Sequence, residues 1–162
     1  MTTQDAGAAR FLVEAEDFRD YGGWVLDSQF EQQMGSPYLM AHGAGRAVAD
    51  ARTTVPVPAT GTYHLWVRAK DWVPGHHPGR FEVHVNGRSV GMEFGADDED
   101  WSWEAAGTVA LPAGESDLAL HDLTGFNGRC DALYFSTAPS PPPNQVDDAA
   151  RAWRRALRGL PE

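Results

Sequence analysis

The sequence predicts an all-β protein, an antiparallel jelly-roll β-sandwich that carries one α-helix at its C-terminal end. About nine short segments alternate apolar and polar residues, and turn signals separate them at spacings of about 8–12 residues, as in β-sandwiches. The 17 Gly and 11 Pro residues suit a chain with many turns. A single segment, close to the C-terminus, repeats its apolar residues with helical spacing.

The first predicted strand runs from Arg10 to Asp17 and follows a tail formed by residues 1–9. One of its faces holds Phe11, Val13 and Ala15, and the other holds Leu12, Glu14 and Glu16. Two carboxylates therefore share one face of an opening strand. The weakly periodic segment that follows, residues 18–37, is predicted to be a binding loop or a loop wrapped over the core.

The middle of the chain supplies the paired strands. Strands are predicted at residues 38–42, 52–57, 63–69, 80–85, 89–94 and 107–111. The strongest hairpin signal is Asn86-Gly87, because this pair tolerates the positive φ that a tight two-residue turn requires. A loop from Lys70 to Gly79 interrupts these strands and carries Asp71 and Trp72.

The stretch from Asp117 to Phe135 is predicted to form the last two strands, joined by a turn near Asn127-Gly128. One face of the last strand is predicted to hold Arg129, Asp131, Leu133 and Phe135, and the other to hold Cys130, Ala132 and Tyr134. The charged residues beside the turn are His121, Asp122, Arg129 and Asp131. Because an unpaired buried charge is costly, these groups should pair with one another, with a metal or with a ligand.

The sandwich is predicted to span residues 10–136, a proline-rich linker residues 137–145, and an amphipathic helix residues 146–160. The apolar stripe of this helix consists of Val146, Ala149, Ala150, Trp153, Leu157 and Leu160. Isolated helices of this length are marginal in water, so the helix should be ordered only where it docks. We expect it to dock on its own sandwich in preference to a partner protein or a second copy in a homodimer.

Charge and composition exclude several classes of partner. The net charge of −10 argues against nucleic acid, whose binding domains carry basic patches. No segment approaches the roughly 20 apolar residues of a membrane span. The N-terminus lacks the apolar segment of a secretory signal, which favours a cytoplasmic location. The single cysteine, Cys130, excludes an intrachain disulfide and is predicted to be a small core residue.

Several motifs resemble known domains. FLVEAEDF and GRCDALYF resemble the first and last strands of the family 6 and family 35 carbohydrate-binding modules. TGTYHLWVRAKDW followed by PGRFEVHVNG is similar to carbohydrate-binding-like domains of the golvesin and xanthan-lyase type. Nearly the whole chain, including YGGWVLDSQF, MGSPYLMAHG, HDLTGFNGRCDA and AWRRALRGLPE, resembles an N-terminal domain attached to certain bacterial FAD-dependent oxidoreductases.

This resemblance implies a bacterial carbohydrate- or glycoside-binding module that is accessory to a flavin-dependent oxidoreductase. The chain lacks a Rossmann fingerprint, so we expect it to bind neither flavin nor nicotinamide itself. The resemblance also implies that the first and last strands pair and bring Glu14, Glu16 and Asp131 together around a structural calcium ion, which prefers oxygen ligands. The alternative is that Arg129 neutralises these carboxylates through an ion pair.

Two functions remain open. For sugar binding, the predicted ligand residues are Tyr21, Trp24, Trp72, Trp101, Trp103 and Asn127, although indoles also fill protein cores. The alternative is a small enzyme that performs acid/base chemistry on a polar or glycosylated metabolite, with Asp71, His121, Asp122 and Arg129 as its candidate catalytic residues. Such an enzyme would work by proton transfer, because the chain contains no G-x-S-x-G nucleophile motif.

Overall fold

The computed structural model describes residues 7–29, 37–143 and 148–158, and it confirms the predicted sandwich with a C-terminal helix. The strands are β1 (Arg10–Glu14), β2 (Val25–Asp27), β3 (Tyr38–His42), β4 (Ala51–Val57), β5 (Gly61–Ala69), β6 (Phe81–Val85), β7 (Arg88–Ser89), β8 (Ser102–Leu111), β9 (Gly114–Asp122) and β10 (Phe126–Ser136). A short 3-10 helix, Ala15–Asp17, follows β1, and the α-helix α1 spans Asp148–Arg158.

The strands form two antiparallel sheets. The larger sheet has the order β2-β3-β10-β5-β8, and β1 pairs with the second half of β10 on the edge that β3 occupies along the first half. The smaller sheet has the order β4-β9-β6-β7. The inner faces of both sheets enclose one core whose buried side chains include Tyr63, Leu65, Phe81, Phe94, Leu120, Leu133 and Phe135. Burying each of these large apolar side chains stabilises the fold by about 1.5–3 kcal/mol.

The predicted hairpin across Asn86-Gly87 is present but short. Both turn residues have positive φ, 50° and 83°, as a tight turn requires. Strand β7 ends at Ser89, and Phe94 returns as an isolated bridge to Phe81. The segment predicted as a single loop between β1 and β3 contributes the short edge strand β2.

A bulge in β10 overturns the predicted assignment of its faces. Cys130 pairs with Ala69 and Ala132 pairs with Arg68, so Asp131 is an additional residue on this strand. An extra residue reverses the alternation of side chains beyond it. The core side of the strand consequently holds Cys130, Leu133 and Phe135, whereas Ala132 and Tyr134 face outward. The core position predicted for Cys130 is confirmed.

Helix α1 packs on the outer face of the larger sheet. Its Trp153 and Leu157 contact a buried cluster on that face, formed by Leu12, Trp103, Ala132 and Tyr134. The Trp153 ring meets the Tyr134 and Trp103 rings edge-on, with centroids 5.0 and 6.4 Å apart. Docking on the protein's own sandwich is therefore confirmed, while Val146 and Leu160 of the predicted stripe lie outside the described residues. None of the described helices is long and apolar enough to cross a membrane.

Candidate functional site

Three carboxylates from the paired first and last strands of the sandwich, or from the turn directly after the first, come together, as the resemblance implied. Glu14, Glu16 and Asp131, here called the carboxylate cluster, each offer an oxygen atom within 4.8 Å of the other two. The antiparallel register pairs Glu14 with Ala132, the neighbour of Asp131. Glu14 is 2% exposed and Asp131 is fully buried, so their negative charges need a cation close by.

Arg154 of helix α1 provides that cation. Its Nε donates to Glu14 Oε1 at 2.9 Å, its Nη2 donates to Glu14 Oε2, and its Nη1 donates to Asp131 Oδ2 at 2.9 Å. Arg68 on β5 adds a second guanidinium, with Nε 3.4 Å from the same Asp131 oxygen. The guanidinium group keeps its charge and its planar fork matches carboxylate oxygens, so the helix neutralises the cluster as it docks.

The third carboxylate completes the charge balance by holding a proton. Burial, together with the charges of Glu14 and Asp131, raises the pKa of Glu16 to about 8. At neutral pH the two remaining carboxylates therefore face two guanidinium groups, those of Arg154 and Arg68. While Arg154 is docked, both Glu14 oxygens and Asp131 Oδ2 accept hydrogen bonds from its guanidinium, so the cation at these oxygens is the arginine and fewer oxygens remain as ligands for a calcium ion.

The prediction that Arg129 neutralises this cluster assigned that role to the wrong arginine. The guanidinium of Arg129 lies over the Trp72 ring, 5.3 Å from its centroid, and Nη1 donates to the carbonyl oxygen of Asn127 at 3.1 Å. A sequence signal for Arg154 did exist. Arg154 follows Ala150 by four residues and precedes Leu157 by three, so it shares their face of the helix and interrupts the apolar stripe that docks.

Three of the predicted sugar-binding tryptophans are buried. Trp24, Trp101 and Trp103 are 2%, 9% and 7% exposed. Trp24 packs edge-on against Phe81, Trp101 packs against Tyr38 with centroids 4.8 Å apart, and Trp103 is covered by helix α1. These positions contradict the expectation that the three rings lie on an accessible ligand platform. The alternating pattern and the loop positions did not reveal how deeply the indoles insert.

The other three predicted ligand residues reach the surface in two places. Tyr21 is half-buried and donates its hydroxyl to the carbonyl oxygen of Glu16 at 2.6 Å. Trp72 and Asn127 lie together at the end of the sandwich where β3 ends and β10 begins. This second location groups aromatic and polar side chains.

We call the group formed by His42, Trp72, Phe126, Asn127 and Arg129 the loop-end group. Trp72 Nε1 donates to the carbonyl oxygen of Phe126 at 2.8 Å, which fixes the indole against the β10 backbone, and the Phe126 side chain is 49% exposed. The Asn127 Oδ1 and His42 Nδ1 atoms lie 2.7 Å apart. Asn127 has a φ of 62° and lies at a register shift between β10 and β3, so the strand is locally irregular at this residue.

The four predicted acid/base residues have separate partners. Asp71 Oδ2 lies 2.5 Å from His77 Nδ1, and His121 Nδ1 lies 2.8 Å from Asp50 Oδ1. Asp122 accepts hydrogen bonds from the backbone N–H groups of Val48, Thr124 and Gly125. Asp122 therefore links the loop that contains Val48 to the loop that contains Thr124 and Gly125. Because Arg129 belongs to the loop-end group, the predicted constellation does not form one proton-transfer network.

A buried carboxylate near Asp71 was not singled out from the sequence. Glu104 on β8 is 7% exposed and accepts weak hydrogen bonds from the Gly95 N–H group at 3.4 Å. Burial raises the pKa of Glu104 to about 7, because the charged form is poorly solvated there. The strand alternation gave no signal, since Trp103 and Glu104 are both buried.

Comparisons with known proteins establish the fold. No protein-family model matches the chain, and no curated protein matches it. The structure is similar to the GH26-CBM35 β-(1,4)-mannanase of Podospora anserina, with a TM-score of 0.63 and 22% identity over 90% of this chain and 34% of that chain. A family 35 carbohydrate-binding module from Clostridium thermocellum gives a TM-score of 0.62 and 21% identity, over 78% of this chain and 97% of that module.

The C-terminal family 6 module of LamC from Zobellia galactanivorans is also similar, with a TM-score of 0.56 and 18% identity, over 79% of this chain and 99% of that module. The chain thus spans about a third of the mannanase and nearly the full length of the two isolated modules. At these identities the likeness shows a shared fold, the β-sandwich of carbohydrate-binding modules of families 35 and 6.

Proposed function

We propose that the protein binds a carbohydrate or glycoside at the loop-end group. The observation that carries this proposal is the Trp72 indole, which is partly exposed and fixed between the Phe126 carbonyl and the Arg129 guanidinium. A ring that is already fixed loses little conformational entropy when a ligand stacks on it. The fold likeness to carbohydrate-binding modules supports the same function.

The chemistry of the loop-end group suits a sugar ring. The apolar C–H face of a sugar would contact the exposed parts of the indole and of the Phe126 ring. Asn127 and His42 offer amide and imidazole groups that would bind hydroxyls and orient the ring. The acid/base alternative has less support, because its four candidate residues have separate partners.

Isothermal titration calorimetry against a panel of soluble oligosaccharides and glycosides tests this proposal. We expect a ligand from the panel to bind, and Trp72→Ala to weaken its binding at least about tenfold, equivalent to about 1.4 kcal/mol. Met92→Ala is the matched control, because Met92 is 44% exposed and lies outside the loop-end group. Absence of binding across the panel, or Trp72→Ala binding as the wild type does, would overturn the proposal.

We further propose that this module is accessory to a flavin-dependent oxidoreductase. The sequence resemblance supports this role. Such a module would raise the local concentration of a glycosylated substrate at the oxidoreductase. Adding this protein to a flavin-dependent oxidoreductase that lacks such a domain should then lower KM for the glycosylated substrate and leave kcat unchanged. An unchanged KM would contradict the accessory role and leave sugar binding by the module itself untouched.

A further inference from the structure

The outer face of the smaller sheet carries a second group of side chains that could ligate a metal ion. Glu82 on β6 lies directly opposite His121 on β9, and His84 follows Glu82 by two residues, so all three side chains share one face. Glu82, His84 and His121 each offer one ligand atom, and these atoms lie within 4.8 Å of one another. We call this group the histidine cluster.

Asp50 prepares His121 to act as a ligand. The register pairs Ala51 of β4 with Leu120 of β9, which places Asp50 beside His121. Asp50 Oδ1 lies 2.8 Å from His121 Nδ1. A carboxylate accepts hydrogen bonds, so this contact puts the ring proton on Nδ1 and leaves the Nε2 lone pair for a metal ion.

The other two donors already share a contact that a metal ion would replace. His84 Nε2 and Glu82 Oε1 lie 3.0 Å apart, so a hydrogen bond joins these two side chains. The His84 and His121 rings are stacked, with centroids 4.8 Å apart and planes 27° from parallel. The three ligand atoms, within 4.8 Å of one another, would have to approach to the separation of about 3.3–3.5 Å that tetrahedral ligands around zinc adopt, which requires rotation of these side chains.

An ion from solvent can reach the cluster. The side chains of His84, Glu82 and His121 are 24%, 28% and 40% exposed. Ala119 lies opposite His84 on β9, and its small side chain helps to form a groove of about 530 Å³ that Asp50 and His84 also line. The groove leaves room for a water molecule or another small ligand on the metal.

We propose that Glu82, His84 and His121 bind a zinc ion, with Asp50 orienting the His121 ring and water at the open coordination position. Two imidazole nitrogens and one carboxylate oxygen are a donor set that zinc uses where three protein ligands leave a fourth position open. Imidazole nitrogen also selects against calcium, which prefers oxygen ligands. The zinc site shares no residue with the loop-end group, and zinc binding does not depend on sugar binding.

Titration of the untagged full-length protein with ZnCl₂ in a calorimeter tests the proposal. We expect one saturable site whose affinity falls at least about tenfold in His84→Ala and in His121→Ala. Asp50→Asn should weaken binding by about 10–100-fold through loss of the outer hydrogen bond. Bound Co²⁺ should give visible absorption bands in the wild type, and His84→Ala should lose them.

His76→Ala is the matched control, because it removes an exposed histidine outside the cluster. It should bind zinc as the wild type does. The proposal is overturned if the wild type does not bind zinc. It is also overturned if binding survives both His84→Ala and His121→Ala, since the ion would then be held by other residues. Thermal melting of each variant without metal verifies that loss of binding is not loss of fold.

Discussion

The carboxylate cluster and the histidine cluster each place three metal-type donors within 4.8 Å of one another, on the outer faces of opposite sheets. They differ in burial and in what balances their charge. In the carboxylate cluster two side chains are buried, and Arg154 and Arg68 contact them. In the histidine cluster all three side chains are partly exposed. Donor spacing alone therefore does not decide whether a group holds a metal. A buried group requires a permanent cation from the chain, whereas an exposed group can use solvent and dissolved ions.

Arg154 also links charge balance to the docking of helix α1. The same helix face carries Trp153 and Leu157, which pack on the larger sheet, and the guanidinium that pairs with Glu14 and Asp131. Removal of the helix would expose an apolar patch and leave two buried charges without their main cation. The helix is therefore an integral part of the sandwich.

The largest expected effect follows from Arg154→Ala. Breaking a buried ion pair by removing one partner typically costs about 3–5 kcal/mol, because the remaining charge is left uncompensated. For a domain of this size that loss corresponds to a melting temperature lower by roughly 6–20 °C. Thermal melting of the variant beside Arg155→Ala checks this, since Arg155 is exposed on the same helix and exposed ion pairs contribute about 0–1 kcal/mol. Equal melting temperatures for the two variants would show that Arg154 does not neutralise the cluster.

Calcium provides a second measurement on the same variant. With the guanidinium removed, the three carboxylates regain the oxygen donors that calcium prefers. Calcium at about 100 times its Kd would then restore about 2.7 kcal/mol to the Arg154→Ala variant. The wild type should show no calcium-dependent shift. A calcium-dependent rise in the melting temperature of the wild type would mean that the ion and Arg154 share the cluster.

The pH dependence of stability gives the next largest effect. The pKa of Glu16 is raised to about 8 in the folded protein, above its ordinary value of 4.5. The folded state therefore binds the proton more tightly than the unfolded state does. The resulting stability is fully present below pH 4.5 and is lost as the pH rises through 8.

Glu16→Gln mimics the protonated side chain and should remove this dependence. Urea unfolding at pH 5, 7 and 9 should show similar stability for variant and wild type at pH 5. The variant should be more stable by a few kcal/mol at pH 9, since each pKa unit corresponds to about 1.4 kcal/mol. Glu115→Gln, at an exposed position on β9, is the control. A stability difference that does not change with pH would contradict a protonated Glu16.

Much of the fold was accessible from the sequence because strand alternation and turn residues act locally. The strand at residues 38–42 and the turn at Asn86-Gly87 depend on such local signals. The bulge at Asp131 was not accessible, because it exists only in the pairing of β10 with β5. A single extra residue there reversed the predicted faces of half a strand.

The sites show the same division between local and long-range information. Bringing Glu14, Glu16 and Asp131 together required only that the first and last strands pair, which the resemblance implied. The histidine cluster required the pairing of β6 with β9, two strands with 28 residues between Val85 and Gly114, and no local pattern specifies that pairing. The burial of Trp24 and Trp101 likewise depends on packing between distant segments.

The smallest expected effect completes the contrast between the clusters. Without metal, His84→Ala should change the free energy of unfolding by no more than about 0.5 kcal/mol, because a partly exposed side chain on the sheet surface loses few buried contacts. Since the two clusters share no residues and lie on different sheets, the effects of His84→Ala and Arg154→Ala should add within about 0.3–0.5 kcal/mol in the double variant. Urea unfolding of the wild type, both single variants and the double variant, with metal chelated, measures both quantities. A large loss from His84→Ala alone would make the histidine cluster a structural element like the carboxylate cluster. A small loss of stability in His84→Ala, together with loss of zinc binding, is the result expected of a ligand-binding site that does not stabilise the fold.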